Sequence, residues 1–132
     1  MNLSSSSEVP ALRRADAAAA QSNRHDWGSL TWLASQSVNS CPNLSMARVV
    51  IHRGRQNPRH SHPDSLEILH LLSGRLEHEV AGRWVTLEPG DTLKVDAAVP
   101  HHARSVGELD ADMIVVYDSG ARQFRDEPPA AA

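Results

Sequence analysis

His60 and His62 stand two residues apart, and Glu67 follows five residues after the second histidine. Residues two apart on a β-strand point to the same face, so the two imidazoles can aim at one point. Pro63-Asp64-Ser65 has the composition of a turn and brings the chain back, which lets Glu67 face that point from the next strand. Two imidazole nitrogens and a carboxylate oxygen converging in this way form a site for a divalent transition metal ion.

Positioning such a site requires strands, and the chain supplies them. Segments 30–33, 44–52, 59–62, 67–72, 75–80, 83–87, 92–95, 100–106 and 113–117 read as short β-strands separated by turn signals. Ala81-Gly82 fits a hairpin. In Glu88-Pro89-Gly90-Asp91, Pro fixes φ and Gly accepts positive φ. Strands this short, punctuated by Gly and Pro and lacking a strong helical period, indicate an all-β sandwich or barrel. The expected organisation is a mobile N-terminal arm over residues 1–24, a β-domain over 25–122 and a loose tail over 123–132.

Composition narrows the function. The 132 residues suffice for one domain. With 13 basic and 16 acidic side chains, net −3, and no basic stripe, nothing argues for nucleic acid or an anionic membrane as partner. No apolar stretch approaches spanning length. The opening residues lack the pattern of a signal peptide, and Cys41 stands alone, so a reducing, cytoplasmic setting is expected.

Gly54, His60, His62, Glu67 and Gly74 reproduce the spacing of the first motif of the cupin superfamily, which the chain resembles over roughly residues 44–118. The second motif is matched more loosely by Gly82, Pro89-Gly90-Asp91, Pro100-His101 and Ser105. Pro89 and Gly90 are adjacent, and Ser105 stands where the family carries Asn. The resemblance implies a double-stranded antiparallel β-helix, or jelly-roll barrel, with a metal inside. It also implies the ligand set His60, His62, Glu67 and His101. Small cupins are commonly strand-swapped dimers, so a homodimer is expected, with 27–34 as the exchanged segment.

His101 and His102 alternate on their strand, so only one can face the interior. Alignment to the motif selects His101 and leaves His102 to solvent or the rim. His70, three residues from Glu67, falls on the opposite face, at the surface or a dimer interface, and His25 and His52 read as structural or exposed. His78 reads as a polar outer-sheet residue, with a cavity-facing orientation as the alternative. Tyr117 reads as a rim tyrosine. Glu67, Tyr117 and His78 are the candidate catalytic acid–base groups: Glu67 by leaving the metal, the other two by facing the cavity. Arg53, Arg55, Arg59 and Arg104 lie near the ligands in sequence, where an arginine at the mouth would bind a carboxylate; Arg59, next to His60, points outward. Leu69, Leu71, Leu93, Val95 and Val115 are the expected apolar floor.

A nitrogen- and oxygen-donor set suits one divalent Fe, Mn, Ni, Co, Zn or Cu ion per chain and leaves one or two positions open. The expected function is metal-dependent chemistry on a small oxygenated metabolite, either by a dioxygenase or by a Lewis-acid isomerase, cyclase or lyase. The alternative is a binding or sensing protein without turnover.

Overall fold

The structure, a computed structural model, describes residues 9–13 and 22–130. Most of the expected N-terminal arm lies outside the described residues. Within them the chain is all-β, with eleven strands and no helix. The strands are β1 (Ser22–His25), β2 (Gly28–Ala34), β3 (Ser45–Ile51), β4 (His60–Ser61), β5 (Glu67–Ser73), β6 (Leu76–Val80), β7 (Arg83–Leu87), β8 (Thr92–Val95), β9 (His101–Ser105), β10 (Ala111–Tyr117) and β11 (Arg125–Asp126).

Two sheets face each other. One has six strands in the order β1-β2-β3-β10-β5-β8, the other five in the order β11-β4-β9-β6-β7. Every pairing is antiparallel. The crossing strand order and the closed pair of sheets make a jelly-roll barrel. The segment 27–34, expected to be exchanged, carries β2, which here lies between β1 and β3 of its own chain.

Period-two patterning decides which side chains enter the core. Along β10, Ala111, Met113, Val115 and Tyr117 are buried and alternate with partly exposed residues. β3 presents Ala47, Val49 and Ile51 in the same phase, and β5 presents Leu69 and Leu71. Leu76 and Ala103 meet them from the opposite sheet. Burying such apolar faces between two sheets is the main favourable term for the fold, about 25 cal/mol for each Å² removed from water.

Turn chemistry sets the register near the site. Ala81 and Gly82 both adopt positive φ (52° and 85°), as a two-residue hairpin of the type I′ kind requires, and this aligns Val80 with Arg83. At Gly74 (φ 83°) a Cβ would fall 2.6 Å from the Asp110 carbonyl oxygen, so only glycine fits where β5 leaves the sheet. Pro63, two residues past the end of β4, has no N–H to donate and helps keep that strand to His60 and Ser61. No helix among the described residues is long and apolar enough to cross a membrane.

Candidate metal centre

The two sheets bring His60, His62, Glu67 and His101 to one point. His60 lies on β4 directly across from His101, the first residue of β9, and His62 follows β4. Glu67 opens β5 on the other sheet, so the cluster spans the gap between the sheets. All four are buried, and one ligand atom from each falls within 4.8 Å of the others. Around a single ion with bonds near 2.0–2.2 Å, donors sit at most about 4.4 Å apart, so the arrangement needs only a slight contraction to grip one.

The three imidazoles are already oriented. His60 Nδ1–H donates to the Pro58 carbonyl at 2.7 Å, His62 Nδ1–H to the Gln123 carbonyl at 2.9 Å, and His101 Nδ1–H to the Val99 carbonyl at 2.8 Å. Each bond fixes the ring and leaves Nε2 toward the centre, as a metal ligand needs. Glu67 Oε1 lies 3.2 Å from His101 Nε2 and 3.3 Å from His62 Nε2. His62 Nε2 is buried with no hydrogen-bond partner among the described residues. A sealed, unsatisfied lone pair is costly, and a cation is the partner this one is placed to meet. The donor set therefore fits a divalent transition ion.

The charges tell the same story. Burial pulls the His60 imidazole down to about 3, with His101 adding to the effect. Burial alone would raise Glu67, but the hydrogen bond from His101 and the nearness of His62 outweigh it and hold the carboxyl well below its ordinary range. Burial disfavours charged His101, yet the Glu67 hydrogen bond prevails and raises it. The cluster thus pairs an ionised carboxylate with imidazoles, one of which retains its proton most strongly.

On the outer side of the same strands lies a second ionic cluster. Glu79, only 1% exposed, accepts from Arg59 Nε at 2.7 Å, from His102 Nδ1 at 2.9 Å and from the Gly82 N–H at 2.6 Å. Arg59 precedes His60 and His102 follows His101, so one carboxylate ties together the neighbours of two ligands on β4 and β9. Burial opposes ionisation of Glu79, but Arg59, Gly82 and His102 overcome it and hold the carboxyl at about 2.

Two sequence expectations about orientation do not hold. His78, expected on the outer sheet surface, is 2% exposed and lines the cavity, because Leu76 and His78 share the inward phase of β6 while Glu79 faces outward. Its ring stacks on His101 at 5.8 Å, its Nδ1 has no hydrogen-bond partner among the described residues, and burial pulls it down to about 4. Tyr117, expected at the rim, is 3% exposed. It pairs directly with Glu67 across β10 and β5, so the two side chains point the same way. Burial, reinforced by Glu67, pushes its phenol above the ordinary range, with Arg122 opposing. Counting by twos back from Tyr117 through Val115 and Met113 would have found it.

His102 and His70 face away from the cluster, His70 bonding Thr92. His52 and His25 are exposed. None of the four arginines flagged from sequence lines the cavity. Arg59 turns to Glu79, Arg104 to Glu77 and the Trp84 ring, the Arg53 guanidinium to the Glu108 carbonyl, and Arg55 lines a separate surface depression. Of the expected floor residues, Leu69 and Val115 line the cavity.

The cavity, about 390 Å³, is lined by Leu30, Val49, Leu69, Met113 and Val115 on its apolar side. Its roof comes from the end of the expected β-domain and the start of the segment 123–132 read as a loose tail. Residues 118–128 run back over β4, where β11 pairs with it through Arg125 and Ser61. Phe124 stacks on the His60 ring at 4.7 Å, Gln123 supplies the carbonyl to His62, and Arg122 enters the lining. Asp64 and Asp118 fasten this strap to the turn after β4 by accepting from the Gln123 and Leu66 N–H groups at 2.8 and 2.9 Å.

A family model for the cupin domain matches residues 47–117. Among curated proteins, the chain is similar to germin-like protein 3-8 of Oryza sativa subsp. japonica (32% identical over 81 residues, 58% of this chain and 36% of that protein). It is also similar to polyketide synthase CurC of Streptomyces cyaneus (27% over 92 residues, 70% of this chain and 60% of that protein). Among solved structures it is similar to the oxalate decarboxylase–formate complex of Lactobacillus farciminis, with TM-score 0.74 and 19% identity over 80% of this chain and 33% of that one. A structure of Bacillus subtilis oxalate decarboxylase, described for its Mn(II) centres, gives TM-score 0.75 and 17% identity over 84% and 31%. The chain therefore spans less than two thirds of the length of each of these proteins.

Proposed function

The chain belongs to the cupin family, and on that footing we propose that it is a metal-dependent protein, an enzyme acting on a small oxygenated molecule. One divalent first-row ion would be held by His60, His62, Glu67 and His101. Such an ion supplies either a Lewis acid for redox-neutral isomerisation, cyclisation or elimination, or a centre for reaction with O₂. The observation that carries the reading is the set of three Nδ1–H bonds to backbone carbonyls, which turn three Nε2 atoms onto one carboxylate. Mn(II) in a structurally similar oxalate decarboxylase makes manganese the first metal to try.

The chain's own residues would shape the guest's surroundings. The apolar wall excludes water from the reacting face. His78, with an unpartnered Nδ1 in the lining, offers the guest a hydrogen bond. Tyr117, beside Glu67 and held protonated, can donate one.

A binding or sensing protein is the second reading. It is favoured by Glu67 being hydrogen-bonded to His101 and Tyr117 being held as a neutral phenol, which leaves few groups free to move protons. The homodimer remains part of the proposal, and light scattering tests it. To separate the two functional readings, protein loaded with Mn, Fe or Zn is screened against small acids, sugars and phenolics for thermal shift, O₂ uptake and product. Turnover with O₂ consumption supports the oxygenase form, and turnover without it the Lewis-acid form. Tight binding with no product under any loading overturns the enzyme reading.

A further inference from the structure

Resting on the metal-bearing reading of the site, we propose that Arg122 anchors a carboxylate and that the guest is a small organic acid bridging from Arg122 to the His60, His62, Glu67 and His101 cluster. Arg48, Arg59, Arg75, Arg104 and Arg125 each pair with a carboxylate. Arg122 forms no ion pair among the described residues, although it lines the cavity. Its Nε is shut off from solvent and has no hydrogen-bond partner among the described residues. A guanidinium in a largely apolar cavity with an idle buried donor is costly unless an anion meets it.

The surrounding rings hold the group in place. The guanidinium carbon sits 5.1 Å from the Trp32 and Tyr117 ring centres and 5.5 Å from that of Phe124. Aromatic faces attract the cation and leave its N–H edge for a planar, two-oxygen acceptor, the geometry in which arginine binds carboxylates most strongly.

The same rings place Arg122 close to the cluster. Tyr117 packs at 4.9 Å from His62, and Phe124 at 4.7 Å from His60. Arg122 is thus one aromatic ring away from two ligands, a span that an acid of roughly three to six carbons can cross. Charge favours the same guest. The carboxylates of the lining are Glu67, engaged by His62 and His101, and Asp126, which is exposed at the rim. A divalent ion together with Arg122 leaves the interior positive.

The test uses Co(II)-loaded protein titrated with malonate, succinate and glutarate and with their dimethyl esters, followed by the visible absorption of the metal, with metal content measured first. At least one acid is expected to bind the wild type and to outcompete its ester. Arg122→Met should weaken that binding at least tenfold while metal content is unchanged. Arg122→Lys, which keeps the charge and loses the fork, should fall between, and it stands in should the Met variant not fold. Equal binding of the acids to wild type and variants overturns the proposal. So does failure of every acid to bind protein that holds stoichiometric Co(II). Failure to take up Co(II) at all removes the metal reading and this proposal with it, and the prior metal measurement tells the two failures apart.

Discussion

The ligand cradle formed by β4, β5 and β9 and the C-terminal strap over residues 118–128 hold the same site by different means. The cradle works through side chains: three imidazoles and a carboxylate brought to one point. The strap works largely through its backbone. The Gln123 carbonyl orients His62, the Gln123 N–H is fixed by Asp64, and β11 pairs with β4. One region is therefore chemically demanding at every position, whereas the other orients the ligands mainly by where its chain runs, with the Phe124 ring and Arg122 as its side-chain contributions.

Breaking the cradle should have the largest effect. His62→Ala is expected to weaken metal binding by more than about 100-fold, beyond what loss of an outer partner produces, read by metal analysis after dialysis. His102→Ala, one residue from a ligand but facing Glu79, should keep its ion. The reverse result for the 101/102 pair would mean that β9 is out of register by one residue.

Removing the strap comes next. A chain ending at residue 121 loses the carbonyl on His62, the ring on His60 and β11, and its metal affinity should fall about 10- to 100-fold. Titration with Co(II), alongside a thermal melt to confirm folding, measures this. Unchanged affinity would mean that the strap only covers the site.

Glu79 tests the cradle from its outer face. Glu79→Gln leaves Arg59 and His102 without their anion and should cost on the order of 2–3 kcal/mol in chemical denaturation. Because the folded carboxyl is held at about 2 against an ordinary 4.5, its contribution is complete above pH 4.5 and is lost as pH falls toward 2. The gap between wild type and variant should therefore close in acid, and a gap independent of pH would contradict the assignment.

The smallest effect sharpens the contrast most. Gln123→Ala keeps the backbone carbonyl and should leave metal affinity within about twofold. Asp64→Ala, which frees the Gln123 N–H, should weaken it more. A large loss in Gln123→Ala would show that the strap acts through side chains after all.

This division explains what could be read from the sequence. The strand set, the barrel and the convergence of His60, His62 and Glu67 follow from spacing and period two, and the family resemblance added His101. The strap left no mark, because a main-chain carbonyl serves whatever side chain accompanies it, and the contact from Gln123 to His62 joins residues 61 apart. Arg122 carries no sequence mark either: proximity to the ligands points to Arg53, Arg55, Arg59 and Arg104, all of which the strand alternation or the loops turn outward. The inward placement of His78 and Tyr117 was legible in principle. It required the phase of β6 and β10, and Leu76 and Val115 carry that phase.

The central claim is that one ion sits among three imidazoles and a carboxylate. Titrating chelator-stripped protein with Mn(II) or Co(II), wild type beside His62→Ala, tests it most directly. One ion per chain is expected in the wild type, with near-complete loss in the variant. Wild-type protein that takes up neither metal, or a variant that binds as well as its parent, would contradict it.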